Sequence, residues 1–122
     1  MGRRAFQVMG AGYSAQQAIA LNGSINATVS AAGTTQATAT AIGAGNTFVT
    51  TAAASSGVVL PQGQPGDEFD VYNGGANPVI VYPPTSAKIN GLATNGGMTL
   101  GTNTECHFKQ WSTTQFTANL SA

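Results

Sequence analysis

Short runs of alternating apolar and polar residues, separated by turns rich in glycine, asparagine and proline, fill the chain from residue 34 onward. In residues 34–42 threonine alternates with alanine, and successive side chains of a β-strand point to opposite faces of a sheet. Further runs follow, with turn signals at a spacing of roughly ten residues. They cover residues 46–51, 57–60, 67–72, 78–82, 87–92, 98–100, 104–111 and 115–120. This pattern, with no exact repeat and no βαβ unit, predicts an all-β fold, a small antiparallel sandwich or barrel.

Two of these runs give the clearest local signal. Residues 67–72 and 78–82 are both strand-like, and residues 73–77 between them include two glycines and two asparagines. A loop of this length and composition is typical of a β-hairpin. We therefore expect the two strands to pair with each other in antiparallel orientation.

The N-terminal part has a different character. Glycines punctuate residues 1–13, which predicts an extended arm. Residues 14–31 allow two interpretations, a short helix that stops at Asn22 and Gly23, or a hairpin with its turn at the same two residues. Thr28 and Val29 favour the hairpin, because such residues prefer a pleated surface.

These patterns divide the chain into two parts. We expect an N-terminal arm or hairpin over residues 1–30 and a β-sandwich or barrel domain over residues 31–122. At this length one domain is expected, with a modest core, because much of the apolar fraction is alanine. Burial of further surface between subunits would compensate for a lean core, so we expect the chain to associate with copies of itself.

The distribution of charge supports association and argues against an enzyme. Residues 5–66 contain no Asp, Glu, Lys, Arg or His, and only 7 % of the whole chain is charged, with a formal net charge of zero. General acids, general bases and metal ligands come mostly from the missing residue types. A net charge near zero also promotes association. The sequence predicts a structural subunit of a larger assembly, with no enzymatic activity and no cofactor.

Several classes of partner are not expected. Arg3 and Arg4 form too small a basic patch for nucleic acid, and no apolar stretch is long enough for a membrane helix. Cys106 is the one cysteine, so the chain has no internal disulfide, and we expect synthesis in a reducing cytoplasm.

Two sequence features suggest ligand chemistry. Gly10, Gly12 and Ala15 fit the spacing of a dinucleotide-binding loop, but that site needs an acidic residue about twenty positions later, and the first one here is Asp67. A cation site built from acidic residues around a symmetry axis is a minor alternative. That cluster consists of Asp67, Glu68 and Asp70, of which the last two share one face of the predicted strand.

The C-terminal third offers further candidates. Alternation places Glu105, His107 and Lys109 on one face of a strand and Cys106 on the opposite face, where we expect it to be a small buried residue. We expect His107 to be an exposed or interface residue rather than a catalytic base. Three aromatic residues, Tyr72, Tyr82 and Trp111, are candidates for recognition of a sugar or a partner, although core packing is the commoner role.

From about residue 30 to residue 120 the order of several segments resembles small virion proteins of tailed bacteriophages. The segments are residues 34–41, 57–61, 66–67, 71–84 and 89–93. This resemblance implies a β-rich module, commonly trimeric, that decorates or cements the head or contributes to a fibre. The expected function is that of a head decoration protein on the outer capsid surface of the virion. The alternative is a tail or head fibre module that binds host surface glycans.

Contacts can be assigned on this basis. We expect an arm containing Phe6, Val8, Met9 and Tyr13 to contact the major capsid protein. The small side chains of Thr38, Ala39 and Thr40 would let a neighbouring subunit approach closely, so we expect a subunit interface there.

Overall fold

The computed structural model describes residues 24–120, and this part of the chain is all-β, with ten strands and no helix. The strands are β1 (Ile25–Ala31), β2 (Thr40–Ala41), β3 (Asn46–Ala52), β4 (Gly57–Val59), β5 (Glu68–Asn73), β6 (Val79–Tyr82), β7 (Lys88–Ile89), β8 (Met98–Leu100), β9 (Thr104–Gln110) and β10 (Gln115–Leu120). The expected all-β class is therefore confirmed. No helix in the described range is long and apolar enough to span a membrane.

The strands form two sheets between which the chain alternates. One sheet has the order β1-β3-β5-β9-β10-β7 and the other the order β2-β4-β6-β8. Strands β1, β3 and β5 are mutually parallel, as are β2, β4 and β6. From β1 to β6 each strand is followed by one in the other sheet, so the chain winds as a solenoid, each turn stacking on the previous one.

The C-terminal third closes this winding with antiparallel pairs. Strand β8 pairs antiparallel with β6, β9 with β5, and β10 with β9, whereas the short β7 lies parallel to β10. The arrangement is therefore solenoid-like with mixed strand orientation, and the prediction of an antiparallel sandwich or barrel is wrong. Alternation shows which side chains point inward, but it does not show which strands are neighbours.

The core lies where the inward faces of the strands meet. Two aromatic rings dominate it, Phe108 of β9 and Phe116 of β10, both fully buried, and full burial of one such side chain is worth roughly 1.5–3 kcal/mol. Branched aliphatic residues fill the space around them. The fully buried ones are Val49, Val58, Leu60, Val71, Val79, Val81, Ile89 and Leu100.

The corner between β5 and β6 replaces the predicted hairpin. The fully buried amide Nδ2 of Asn73 donates hydrogen bonds to the carbonyl oxygens of Asn77 and Leu100 at 2.9 and 3.0 Å, and its Oδ1 accepts one from the Gly75 amide at 2.9 Å. Asn77 Nδ2 in turn donates to the carbonyl of Ala52 in the preceding turn at 2.9 Å. These bonds direct the chain into the other sheet, so the hairpin prediction is wrong although both of its strands exist.

Residues 34–39 form a turn rather than a strand. The hydroxyls of Thr35 and Thr38 lie 2.8 Å apart, and each accepts a hydrogen bond from the other residue's amide. Threonine side chains that bond to nearby backbone compete with strand pairing. Gly33 precedes the turn with φ of +75°, a conformation that favours glycine. Only Thr40 and Ala41 of the predicted strand are in β2.

At the N-terminal side, β1 confirms a strand over Ile25, Ala27 and Val29, and it pairs with β3. The predicted arm of residues 1–13 and the helix or first hairpin strand before Asn22 lie outside the described residues. The expected boundary after residue 30 falls within β1.

Candidate functional site

The outer face of β5 and β9 gathers most of the ionisable side chains of the described chain. Inward-facing Phe69, Val71, Cys106 and Phe108 alternate along these strands with outward-facing residues. The strand register places three outward pairs side by side. These pairs are Glu68 with Lys109, Asp70 with His107, and Tyr72 with Glu105. The two predicted faces are thus confirmed, and the fold brings them together.

His107 lies between two carboxylates. Its Nδ1 is 2.6 Å from Asp70 Oδ1, and its Nε2 is 2.7 Å from Glu68 Oε1. Both ring nitrogens act as donors only when the imidazole is protonated. Partial burial of the ring lowers its pKa, but the hydrogen bond and the negative charge of Asp70, with a further contribution from Glu68, outweigh this effect and raise the pKa above 6.5.

This arrangement limits the chemistry available to His107. A general base needs a free ring nitrogen within reach of the proton it removes, and here each nitrogen faces a carboxylate. Within residues 24–120, no group of three or more His, Cys, Asp or Glu side chains is arranged to hold a metal ion. The cluster is best described as an ion-pair network on the surface of the sheet.

Beside the network lies a groove that we call the aromatic–acidic groove. The rings of Phe48 and Tyr72, on neighbouring strands, stack with centroids 4.9 Å apart and planes inclined by 23°. The groove has a volume of about 250 Å³. Its lining residues are Ile25, Asn46, Thr47, Phe48, Asp70, Tyr72 and Glu105. Among these, Thr47 carries a buried Oγ1 with no hydrogen-bond partner within the described part of the chain.

Trp111 lies elsewhere on the same molecule, directly after β9. Its side chain is strongly exposed, at 57 %, and its Nε1 donates to Thr117 Oγ1 at 2.8 Å. The ammonium group of Lys109 lies 4.5 Å from the centre of the indole, a cation–π contact. The indole is therefore held in one orientation while much of its surface contacts solvent.

The three predicted recognition aromatics are not brought together. Tyr72 lines the groove, Trp111 follows β9, and Tyr82 lies in the other sheet. The ring of Tyr82 packs where Gly57 and Gly97 leave room for it, and its hydroxyl donates to the carbonyl of Thr34 at 3.2 Å. These contacts give Tyr82 a packing role.

Cys106 is fully buried on the inner face of β9. Desolvation by this burial raises the pKa of its thiol to about 11, with a smaller contribution from the negative charges of Asp70 and Glu105. A thiol with so high a pKa is a poor nucleophile at neutral pH. The expectation of a small buried side chain is confirmed.

The predicted contact residues fall into two groups, one inside and one outside the described part of the chain. Thr38 and Ala39 belong to the turn before β2, and Thr40 donates its hydroxyl to the carbonyl of Ser30 at 2.8 Å, so this side chain is used within the subunit. The predicted capsid contacts lie outside the described residues. They are Phe6, Val8, Met9 and Tyr13.

Sequence reasoning missed the groove and the pairing within the ion-pair network. Phe48 lies in the predicted strand of residues 46–51, and the pattern there does not show that its ring is 42 % exposed. Comparison of the chain with protein-family models and with curated proteins gives no match.

Proposed function

We propose that this chain is a bacteriophage head decoration protein that binds the outer capsid surface and stabilises it by burial between subunits. The observation that carries this proposal is the position of the uncharged residues. Residues 24–66 contain no ionisable side chain and supply β1 to β4. Strands β1 and β3 lie together at one end of their sheet, and β2 and β4 at one end of theirs. A backbone bridge between Ala32, directly after β1, and Gly57 of β4 joins these two ends.

This surface has the chemistry of a contact region. Its exposed side chains are mainly small alanine, serine and threonine, with Ile25 65 % exposed and Phe48 42 % exposed. Within the described residues, β1 and β2 each have a neighbouring strand on one side only. Unpaired strand edges are templates for association with another chain.

The free energy gained by burying an interface of ordinary size is sufficient for capsid attachment. An ordinary stable interface buries roughly 800 Å² per partner, of which somewhat more than half is apolar. At about 25 cal/mol per Å² this gives on the order of 10 kcal/mol before ordering costs. A trimer would present this contact three times, and the linked contacts would raise the avidity further.

The test uses virus particles from which the protein has been removed. Such particles should lose resistance to heat or low salt and regain it when the purified chain is added back. The variant Thr28→Lys, which places a charge on the exposed face of β1, should restore resistance poorly. The matched control Thr113→Lys, in the exposed turn between β9 and β10, should act as wild type. No binding of the wild-type chain to capsids would contradict the proposal.

The exposed indole of Trp111 favours a second candidate, a fibre module that binds host surface glycans. Sugars stack on exposed aromatic rings, and this ring is already oriented by Thr117 and Lys109. Trp111→Ala should then abolish binding to host cells, whereas Leu92→Ala, at another exposed apolar residue, should leave it unchanged. Equal binding of both variants would exclude this role for Trp111.

A further inference from the structure

The aromatic–acidic groove combines two features that attract a cation. Tyr72 and Phe48 supply aromatic rings, and ring faces attract ammonium and guanidinium groups. Glu105 is the cross-strand neighbour of Tyr72, and Asp70 lies two residues before Tyr72 on the same face of β5. Lys109 and Trp111 already form one cation–aromatic pair on this sheet.

The size of the groove suits one or two side chains rather than a separate small molecule. Pockets for drug-sized ligands have volumes of roughly 300–1,000 Å³, and this groove has about 250 Å³. A long side chain such as arginine is of a size to enter it. The flat guanidinium group can stack on an aromatic ring and still donate hydrogen bonds to a carboxylate at its edge.

The charge distribution of the chain identifies a matching segment. The described residues contain four carboxylates and two lysines, a formal net charge of −2 with neutral histidine. The whole chain is neutral, and the two remaining positive charges are the adjacent Arg3 and Arg4. The acidic part of the chain and its basic segment are therefore complementary in sign.

The chain between Arg4 and the groove is long enough for the Arg3–Arg4 segment to reach it. Ile25 is one of the residues that line the groove, so the described chain begins at the groove itself. Arg4 precedes it by about twenty residues, which span at most roughly 70 Å when extended. That length allows Arg4 to reach the groove of the same subunit or of a neighbouring copy.

We propose that the aromatic–acidic groove binds the Arg3–Arg4 segment of this chain, with a guanidinium group against Tyr72 and between the carboxylates of Asp70 and Glu105. This proposal goes beyond the proposed function, because it holds or fails in the purified protein without any capsid. It gives the chain an internal or inter-subunit contact that depends on charge, at the border between the uncharged surface of β1 to β4 and the acidic face of β5 and β9.

Trypsin cleavage after Arg3 and Arg4 in the full-length protein tests the proposal. Binding in the groove should slow this cleavage, and Glu105→Gln should accelerate it about fivefold, the scale expected for the loss of one ion pair while the contact with Tyr72 remains. Salt at about 0.5 M should also accelerate it, because exposed charge pairs are screened. The matched control Glu68→Gln removes a carboxylate from the same face but outside the groove lining and should leave the rate within about twofold of wild type.

A second measurement does not depend on any groove variant. A peptide with the sequence of residues 1–13 is added to the full-length chain carrying Arg3→Gln and Arg4→Gln, and amide chemical shifts are followed by NMR. Shifts at Tyr72 and Glu105 that the same peptide with both arginines replaced by glutamine does not produce would support the proposal. Equal cleavage of wild type and Glu105→Gln, or equal shifts with both peptides, would overturn it.

Dilution distinguishes binding in the same subunit from binding to a neighbouring copy. A cleavage rate that rises on dilution indicates a neighbouring copy, and a constant rate indicates the same subunit.

Discussion

Replacement of Asn73 by alanine should destabilise the fold more than any ordinary polar substitution, because this side chain holds the corner between β5 and β6. Asn73 is fully buried, and it makes three hydrogen bonds of 2.9–3.0 Å with the backbone of Gly75, Asn77 and Leu100. Each such bond contributes roughly 0.5–1.5 kcal/mol, and a buried group left without its partner costs more. The sum is about 3 kcal/mol, a large fraction of the roughly 5–15 kcal/mol that stabilises a domain.

Thermal unfolding followed by circular dichroism provides the assay. For a domain of this size each kcal/mol lowers Tm by roughly 4–8 °C, so Asn73→Ala should unfold more than about 10 °C below wild type. Asn119→Ala is the control, because Asn119 is exposed near the end of β10 and should change stability by less than about 0.5 kcal/mol. Equal Tm values for the two variants would refute the assigned role of Asn73.

Three further results are expected. Thr47→Val removes a buried hydroxyl without a partner in the described chain and should raise stability by about 1 kcal/mol in urea unfolding; a loss of stability would show that the hydroxyl is satisfied. The pKa of His107 in the folded protein is raised above 6.5, so its ion pairs should stabilise the protein fully below pH 6.5. This stabilisation should be lost as the pH rises through the folded pKa. A urea midpoint that depends on pH in the same way in His107→Gln would contradict this expectation. Cys106 should react with iodoacetamide at pH 8 only after unfolding, since its thiol is fully buried with a pKa of about 11, and rapid labelling of the native protein would disprove that placement.

Most of the strands could be predicted from alternation, although residues 34–39 form a turn, but the neighbours of each strand could not. Residues 67–72 and 78–82 are strands as expected, yet they lie in different sheets. They are directed into different sheets by side-chain hydrogen bonds of Asn73 and Asn77 to backbone carbonyls of residues distant in sequence. A five-residue loop with glycines is compatible with a hairpin or with a corner, so local composition does not decide between them.

A weak periodic signal for the solenoid is present in the sequence. Thr47 pairs with Val71 and Val58 with Val81, offsets of about 23 to 24 residues, within the range of known solenoid repeats. The runs at residues 57–61 and 79–83 are both apolar and both end in proline. Their flanking residues differ, so no exact repeat was visible, and the period becomes clear only from the strand register.

The candidate site could also be predicted only in part from the sequence. Alternation correctly placed Glu68 and Asp70 on one face and His107 on one face of its own strand. The contact between Asp70 and His107 joins residues 37 positions apart, and it depends on the antiparallel pairing of β5 with β9. The groove beside it also needs Phe48 from β3, and no local pattern predicts that Phe48 lies next to Tyr72.

The most direct test of the central claim, that this chain is a structural subunit attached through an uncharged surface, is its position in virus particles imaged by electron cryomicroscopy. We expect its density at regularly repeated positions on the outer surface of the head, with the end formed by β1 to β4 towards the capsid. Density confined to a tail tip, or particles that lack the protein altogether, would contradict the account.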